Sequence, residues 1–205
     1  MKIALIGNGK KFDCSKELAT YDLIVAIDGG ANHCKDMNIT PNYIIGDQDS
    51  IEPATKEKFS DVNLIEESGQ SNTDLDKALQ FIEQKIDDDY EIDLFCVTSS
   101  DRIDHSFAAL MSLMLVPQIN SIITEYQKIM HTANIIELTE PVGTNISILP
   151  FGKTAYLKLT NFKWSGDNIT LDSKNSGISN EIAKSPATIK VIEGSVIVYI
   201  TLDQL

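Results

Sequence analysis

The first half of the chain alternates short apolar runs with segments of helical periodicity, and this alternation restricts the fold more than any other feature. The runs are rich in isoleucine, leucine and valine, at residues 3–6, 23–27, 43–45 and 94–97. Such runs are typical of buried parallel strands. Their alternation with helices predicts right-handed β–α–β units. We therefore predict an N-terminal α/β domain with a mainly parallel, Rossmann-like sheet.

The helical segments between these runs differ in clarity. The clearest begins near residues 72–73, because apolar residues then recur at helical spacing, namely Leu75, Leu79, Ile82 and Ile86. A second helix is predicted at 106–116, where Pro117 ends it. Pro53 can open a further helix, since proline is well tolerated in the first turn.

The second half contains strand-like segments and almost no helical pattern. The segments are 145–149, 155–159, 169–171, 188–192 and 195–202. Glu193 and Gly194 are predicted to form a hairpin tip between the last two. We therefore predict a smaller all-β C-terminal domain, a sandwich or partial barrel. The boundary is placed near Pro141 and Gly143, which gives domains of 1–140 and 141–205.

Composition excludes several classes of protein. The 205 residues carry a formal net charge of −13, which disfavours nucleic acid as a partner because phosphate backbones require basic patches. The apolar stretches are too short to span a bilayer, and the N-terminus lacks the features of a secretory signal. We therefore expect a cytoplasmic protein without a membrane partner. The cysteines, Cys14, Cys34 and Cys96, form no CxxC pair and are expected to be free thiols.

Two polar clusters follow the second and third apolar runs, where ligands bind in open α/β sheets. In Asp28-Gly29-Gly30-Ala31-Asn32, the glycines allow a ligand to approach the backbone, although a plain tight turn is equally compatible. In Gly46-Asp47-Gln48-Asp49-Ser50, two carboxylates lie on a turning backbone. This pattern favours a hard cation such as Mg²⁺. An Asx-type turn at a strand end is the alternative.

Two further clusters precede the predicted helices. In Gln70-Ser71-Asn72-Thr73-Asp74, the start of a helix and the nearby Lys77 suit a metal-bridged phosphate, whereas a capping box explains Ser71 and Asp74 alone. In the segment 99–105, Arg102 offers a donor fork for phosphate, and Asp104 and His105 can orient groups or carry protons. A structural role for His105 is equally compatible. Neither GxGxxG nor a P-loop motif occurs.

Taken as an ordered set, DGGAN, GDQDS, NTDLDKAL and DRIDH resemble the thiamine pyrophosphokinase family. The later segments GTNISILPFG and SGISNE are also similar to that family, so the resemblance spans essentially the whole chain. It implies a transferase that makes thiamine diphosphate and AMP from ATP and thiamine with Mg²⁺. It also implies a homodimer whose active sites lie between subunits, with a nucleotide- and metal-binding α/β domain and a thiamine-binding β domain.

The resemblance also implies roles for particular residues. The metal ligands would be Asp47, Asp49 and Asp74. The catalytic set would be those three with Lys77, Arg102 and Asp104. Residues that bind nucleotide or thiamine would be Asp28, Gly29, Gly30, Gln70, Thr73, His105, Trp164, Ser179 and Asn180.

The sequence departs from the family at one notable place. Ser100 and Asp101 precede Arg102, where the family usually has two glycines. A basic residue shortly before Thr73 and Asp74 is also absent. Three alternatives therefore accompany the enzyme hypothesis. They are a transferase acting on another alcohol, a catalytically silent sensor of thiamine or nucleotide, and an interaction module whose acidic surface is merely solvated.

Overall fold

The computed structural model describes residues 1–66, 73–87 and 89–202. The chain folds into two compact units, Met1–Thr124 and Glu125–Leu205, whereas the sequence pattern predicts a boundary at 140/141. The difference arises because strands at 127–132 and 135–138 pair with late strands of the second unit. Within the described residues, no helix is long and apolar enough to cross a membrane.

The first unit is built around parallel strands. These are β1 Lys2–Ile6, β2 Leu23–Ile27, β3 Tyr43–Gly46, β4 Asn63–Glu66, β5 Glu91–Phe95 and β6 Ile119–Ile123. They lie in the order β6-β5-β1-β2-β3-β4, and each described pair is parallel. The helices are α1 Ser15–Leu18, α2 Gly30–Asp36, α3 Pro53–Lys58, α4 Asp74–Lys85 and α5 Ile103–Leu115. The predicted parallel sheet and the two main helices are confirmed.

Close packing against β1 determines which residue can begin α2, the helix that follows β2. Gly30 begins α2 directly against β1, where a Cβ atom would overlap the carbonyl oxygen of Ile6. Glycine is therefore required for α2 to pack on the sheet. The central strands bury nearly all of their side chains, as expected for a parallel sheet covered on both faces.

The second unit consists of antiparallel strands. They are β7 Gln127–Thr132, β8 Ile135–Leu138, β9 Asn145–Pro150, β10 Ala155–Thr160, β11 Gly166–Leu171, β12 Gly177–Glu181, β13 Ala187–Glu193 and β14 Val196–Thr201. One layer has the order β12-β9-β14-β7 and the other β11-β10-β13-β8. One core cluster holds side chains from both layers, including Ile148 and Val198 from the first and Leu157 and Ile189 from the second. This is the arrangement of a β-sandwich.

The predicted hairpin at Glu193-Gly194 is wrong. β13 pairs with β10 and β8, whereas β14 pairs with β7 and β9, so the turn carries the chain from one layer to the other. Gly194 has a φ of 84°, a conformation that favours glycine. The sequence pattern of two strands and a short turn is the same for a hairpin and for this crossing.

Candidate active site

Three carboxylates converge at the C-terminal edge of the parallel sheet. Asp28 directly follows β2, Asp47 directly follows β3, and Asp74 is the first residue of α4 after β4. Because these strands are adjacent and parallel, their carboxyl ends meet at one edge. One carboxylate oxygen from each of these three residues lies within 4.8 Å of the corresponding oxygens of the other two. Such a set has the chemistry to bind a hard divalent cation.

Asp28 is the buried member of this acidic group. Only 7% of the residue is exposed, and its Oδ1 atom is buried without a hydrogen-bond partner among the described residues. Asp28 has a φ of 45°, and its backbone N–H donates to the Ile45 carbonyl at 2.8 Å. Gly46 permits this approach, since a Cβ at that position would lie 2.9 Å from the Asp28 Cβ atom. A buried carboxylate oxygen without a donor is costly unless a cation compensates it.

Asp49 lies outside this converging group in the described part of the chain. Its carboxylate accepts from the Ser50 hydroxyl at 2.8 Å, and its backbone N–H donates to Asp47 Oδ1 at 3.3 Å. The third member of the acidic group is Asp28 instead. The resemblance gives Asp28 a role in ligand binding and not in metal binding. The metal role of Asp49 stays a prediction.

The start of α4 supplies both a cap and a cation. Thr73 forms a capping box with Asp76, because the Asp76 N–H donates to Thr73 Oγ1 at 3.2 Å and the Thr73 N–H donates to Asp76 Oδ2 at 3.0 Å. The capping partner is therefore Asp76, so Asp74 is available to the acidic group. Lys77, with 9% of its side chain exposed, bonds Asp74 Oδ1 at 2.7 Å. Gln70 and Ser71 lie outside the described residues.

Arg102, Asp104 and His105 form a separate exposed group at the start of α5. The Arg102 guanidinium donates a bidentate pair of hydrogen bonds to Asp104, from Nε to Oδ1 at 3.1 Å and from a terminal nitrogen to Oδ2 at 2.9 Å. These hydrogen bonds lower the pKa of Asp104 to about 2. His105 Nε2 contacts the same guanidinium. Because more than half of each side chain is exposed, this group can rearrange around an anionic ligand at little cost.

The strand order places the loop that follows β1, which contains Gly7 and Gly9, beside the loop that follows β5 and leads to Arg102. The chain leaves β1 at Gly7 and β5 at Cys96, and these neighbouring strands flank the point where strand order reverses in the first unit. Backbone pairing continues past both strand ends, from the Gly9 N–H to the Cys96 carbonyl at 2.5 Å. Ligands of open α/β sheets bind in the crevice at such a point.

The residues assigned to thiamine lie in the second unit. Asn180 is buried, and its amide bonds the backbone of Trp164 twice, from Nδ2 to the carbonyl and from the Trp164 N–H to Oδ1, both at 3.1 Å. Trp164 is 57% exposed, and the centroid of its ring lies 5.3 Å from Lys163 Nζ. Ser179 has a φ of 61°. Asn180 therefore supports the tryptophan loop, and Trp164 presents an exposed aromatic surface.

The parallel sheet with acidic residues at its strand ends has the architecture of the α/β proteins that bind ligands at that edge. Comparison with known proteins narrows this class. The model of the thiamin pyrophosphokinase catalytic domain matches residues 14–124, and that of the family's vitamin B1 binding domain matches residues 133–196. The chain belongs to the thiamin pyrophosphokinase family.

Individual relatives are distant in sequence. Thiamine pyrophosphokinase 3 of Oryza sativa subsp. japonica is 26% identical over 82% of this chain and 73% of its own length. The thiamine pyrophosphokinase of Bacillus subtilis has a crystal structure that superposes with a TM-score of 0.84 at 24% identity, covering 99% of this chain and 100% of the other. The Candida albicans enzyme gives a TM-score of 0.86 at 18% identity, covering 98% and 89%. The structural likenesses establish the fold.

Proposed function

We propose that this chain transfers the diphosphoryl group of ATP to the hydroxyl of thiamine and releases AMP. The observation that carries the proposal is the convergence of Asp28, Asp47 and Asp74 at one sheet edge, in a chain of the thiamin pyrophosphokinase family. The hydroxyl oxygen attacks the β-phosphorus. The bond from that phosphorus to the oxygen bridging to the α-phosphorus breaks, AMP leaves, and the hydroxyl proton is released.

The residues present fit Mg²⁺. Asp28, Asp47 and Asp74 would hold the ion, since they offer oxygen ligands and include a buried carboxylate oxygen with no donor among the described residues. When bound, Mg²⁺ neutralises charge on the phosphate oxygens. We propose Asp49 as an outer member of this set, beside Asp47.

We assign the remaining roles by position. In the first unit, a Rossmann-like nucleotide-binding domain, Lys77 would bind phosphate oxygens from the start of α4, and Arg102 would do so from the start of α5. The other residues proposed to contact nucleotide or to orient it are Gly29, Gly30, Gln70, Thr73, Asp104 and His105. In the second unit, Trp164 would stack on the cationic rings of thiamine, with Ser179 and Asn180 supporting that surface.

We propose that the protein is a homodimer with an active site completed by the partner. Helix α5 supports this, because it exposes apolar side chains along one stripe at a spacing of four or its multiples. Ile103, Phe107 and Leu115 are 74%, 59% and 67% exposed. An unpaired apolar stripe of this kind marks an interaction surface. The stripe begins one residue after Arg102, so a second copy seated on it would enclose the phosphate-binding group.

The dimer is tested by light scattering coupled to size-exclusion chromatography. Wild-type protein is expected to have twice the mass of the chain, and Phe107→Asp is expected to shift it toward the monomer. Leu64→Asp, which changes an exposed apolar residue of β4 in the same unit, is the matched control and should stay dimeric. If Phe107→Asp stayed dimeric, α5 would not form the dimer interface.

The activity is tested by separating the nucleotide products. Purified protein with ATP, Mg²⁺ and thiamine should form AMP and thiamine diphosphate in equal amounts, and EDTA should stop the reaction. ADP in place of AMP would indicate transfer of a single phosphoryl group. Thiamine binding without any nucleotide product would indicate the silent sensor and would reject the enzyme proposal.

A further inference from the structure

Helix α2 contacts the backbone of the loops on both sides of β2 through two consecutive side chains. Asn32 binds the loop that follows β3, and His33 binds the loop that follows β1 through Nε2 and the Gly9 carbonyl at 3.0 Å. Because a carbonyl only accepts, His33 Nε2 carries the proton. We propose that Asn32 is a positioning residue, which holds the loop 46–52 so that Asp47 stays in the acidic group. This rests on the proposed metal-dependent function.

The contact of Asn32 with the loop uses both ends of its amide. Nδ2 donates to the Ser50 carbonyl at 2.8 Å, and Oδ1 accepts from the Glu52 N–H at 3.0 Å. These two backbone groups flank Ile51, which is buried in the core of the first unit. A side-chain amide that bonds a C=O and an N–H two residues apart fixes both the position and the direction of the backbone.

The loop needs such a tether. Asp47, Asp49 and Ser50 are exposed, and the segment between β3 and α3 forms neither helix nor strand. Its backbone also takes unusual conformations, with a φ of 145° at Gly46 and 66° at Gln48. A non-glycine residue with a positive φ, such as Gln48, keeps that conformation only where the surrounding structure holds it.

The tether also opposes electrostatic repulsion. With no cation, the carboxylates of Asp28, Asp47 and Asp74 repel one another across 4.8 Å or less. Asp28 lies two residues before the start of α2, where its carbonyl accepts from the Ala31 N–H at 3.0 Å, and Asn32 lies four residues after Asp28. The same short helix therefore contacts the backbone of Asp28 at its start and the loop that carries Asp47 through the side chain of Asn32. Loss of a residue that orients a metal ligand commonly weakens metal binding by about 10- to 100-fold.

The test compares Asn32→Ala with Asn42→Ala. Asn42 is a matched control, because its Oδ1 also accepts from a backbone N–H, that of Ile24 at 2.8 Å, but it precedes β3 at the opposite edge of the sheet. Mn²⁺ binding to the complete protein is measured by electron paramagnetic resonance, and unfolding is measured by denaturant titration. Asn32→Ala is expected to bind Mn²⁺ about 10- to 100-fold more weakly, and Asn42→Ala is expected to match the wild type.

Turnover supplies a second readout. Since the carboxylates remain in Asn32→Ala, high Mg²⁺ should restore most of its rate, and the half-saturating Mg²⁺ concentration should rise with the loss of Mn²⁺ affinity. Equal Mn²⁺ affinity in Asn32→Ala and wild type would overturn the proposal. Equal weakening in both variants would also overturn it, because the effect would then be general destabilisation. If the wild-type protein bound Mn²⁺ but formed no AMP, the proposed reaction would be rejected, and the proposed role of Asn32 in metal binding would still stand.

Hydrogen exchange on the wild type keeps the proposal testable if Asn32→Ala does not fold. The Glu52 N–H is expected to be protected in the metal-free protein because Asn32 Oδ1 accepts from it. The Ser50 N–H, which has no such bond to Asn32, serves as the internal comparison. Exchange of the Glu52 amide at the rate of an unstructured peptide would overturn the tether.

Discussion

Replacing Asp28 with asparagine should make the metal-free protein more stable and at the same time abolish metal binding and turnover. The variant removes a negative charge from a buried carboxylate that has no donor among the described residues and that faces Asp47 and Asp74 within 4.8 Å. Relief of this repulsion is expected to add about 1 kcal/mol, or roughly 2–4 °C in Tm. The lost anionic ligand should lower turnover about 1000-fold or more, since a bound metal supplies several kcal/mol.

Asp93→Asn is the matched control for this prediction. Asp93 is also a carboxylate on the parallel sheet, but Tyr21, Asn120 and Ser121 all donate hydrogen bonds to it, at 2.8 Å from the Tyr21 hydroxyl and 3.0 Å from Asn120 Nδ2. An amide cannot accept all of these bonds, so this variant should lose about 1–3 kcal/mol of stability. Changes of opposite sign in the free energy of unfolding of Asp28→Asn and Asp93→Asn would distinguish a functional carboxylate from a structural one.

Thermal unfolding with and without Mn²⁺ checks both halves of the prediction. Wild-type protein and Asp93→Asn should be stabilised by Mn²⁺, whereas Asp28→Asn should not respond. If Asp28→Asn were less stable than wild type and still gained stability from Mn²⁺, Asp28 would be a structural residue. The metal site would then have to be rebuilt around Asp47, Asp49 and Asp74.

The sequence locates the acidic motifs but not their grouping. Asp47 and Asp49 stand out because two carboxylates occur on one turn, and the motif therefore assigns the metal to both. Asp28 lies 19 residues before Asp47 in the chain, and only the pairing of β2 with β3 brings the two together. Strand order is a property of the whole sheet, so Asp28 could be predicted as a ligand-binding residue but not as a member of the acidic group.

Contacts between distant parts of the chain also could not be predicted for Asn32 or for the strand pairing of the second unit. Asn32 is visible in DGGAN, yet its partners Ser50 and Glu52 offer only backbone atoms, which every residue carries. In the second unit, alternating apolar residues correctly predict most strands. They cannot show that β7 and β8 pair with β14 and β13, because pairing partners far apart in the chain leave no mark on periodicity.

Lys77→Met should lower turnover about 100- to 1000-fold without weakening Mn²⁺ binding. The Lys77 side chain is 9% exposed and pairs with Asp74 at 2.7 Å, so methionine keeps the buried stem and removes only the charge. Loss of a cation that stabilises charge on transferred phosphate has an effect of this size. Asp74 is then freed from its ion pair, and the metal-free protein should bind Mn²⁺ a few-fold more tightly.

Lys11→Met controls for the change in net charge. Lys11 pairs with Asp36 at the same 2.7 Å in the same unit, but its side chain is 47% exposed, so its loss should leave both turnover and Mn²⁺ affinity unchanged. Steady-state rates and Mn²⁺ titrations on the two variants check the prediction. Full turnover in Lys77→Met would show that Lys77 does not bind the transferred phosphate. A parallel loss of Mn²⁺ binding would instead make Lys77 a support for Asp74, because the acidic group would then depend on the ion pair for its geometry.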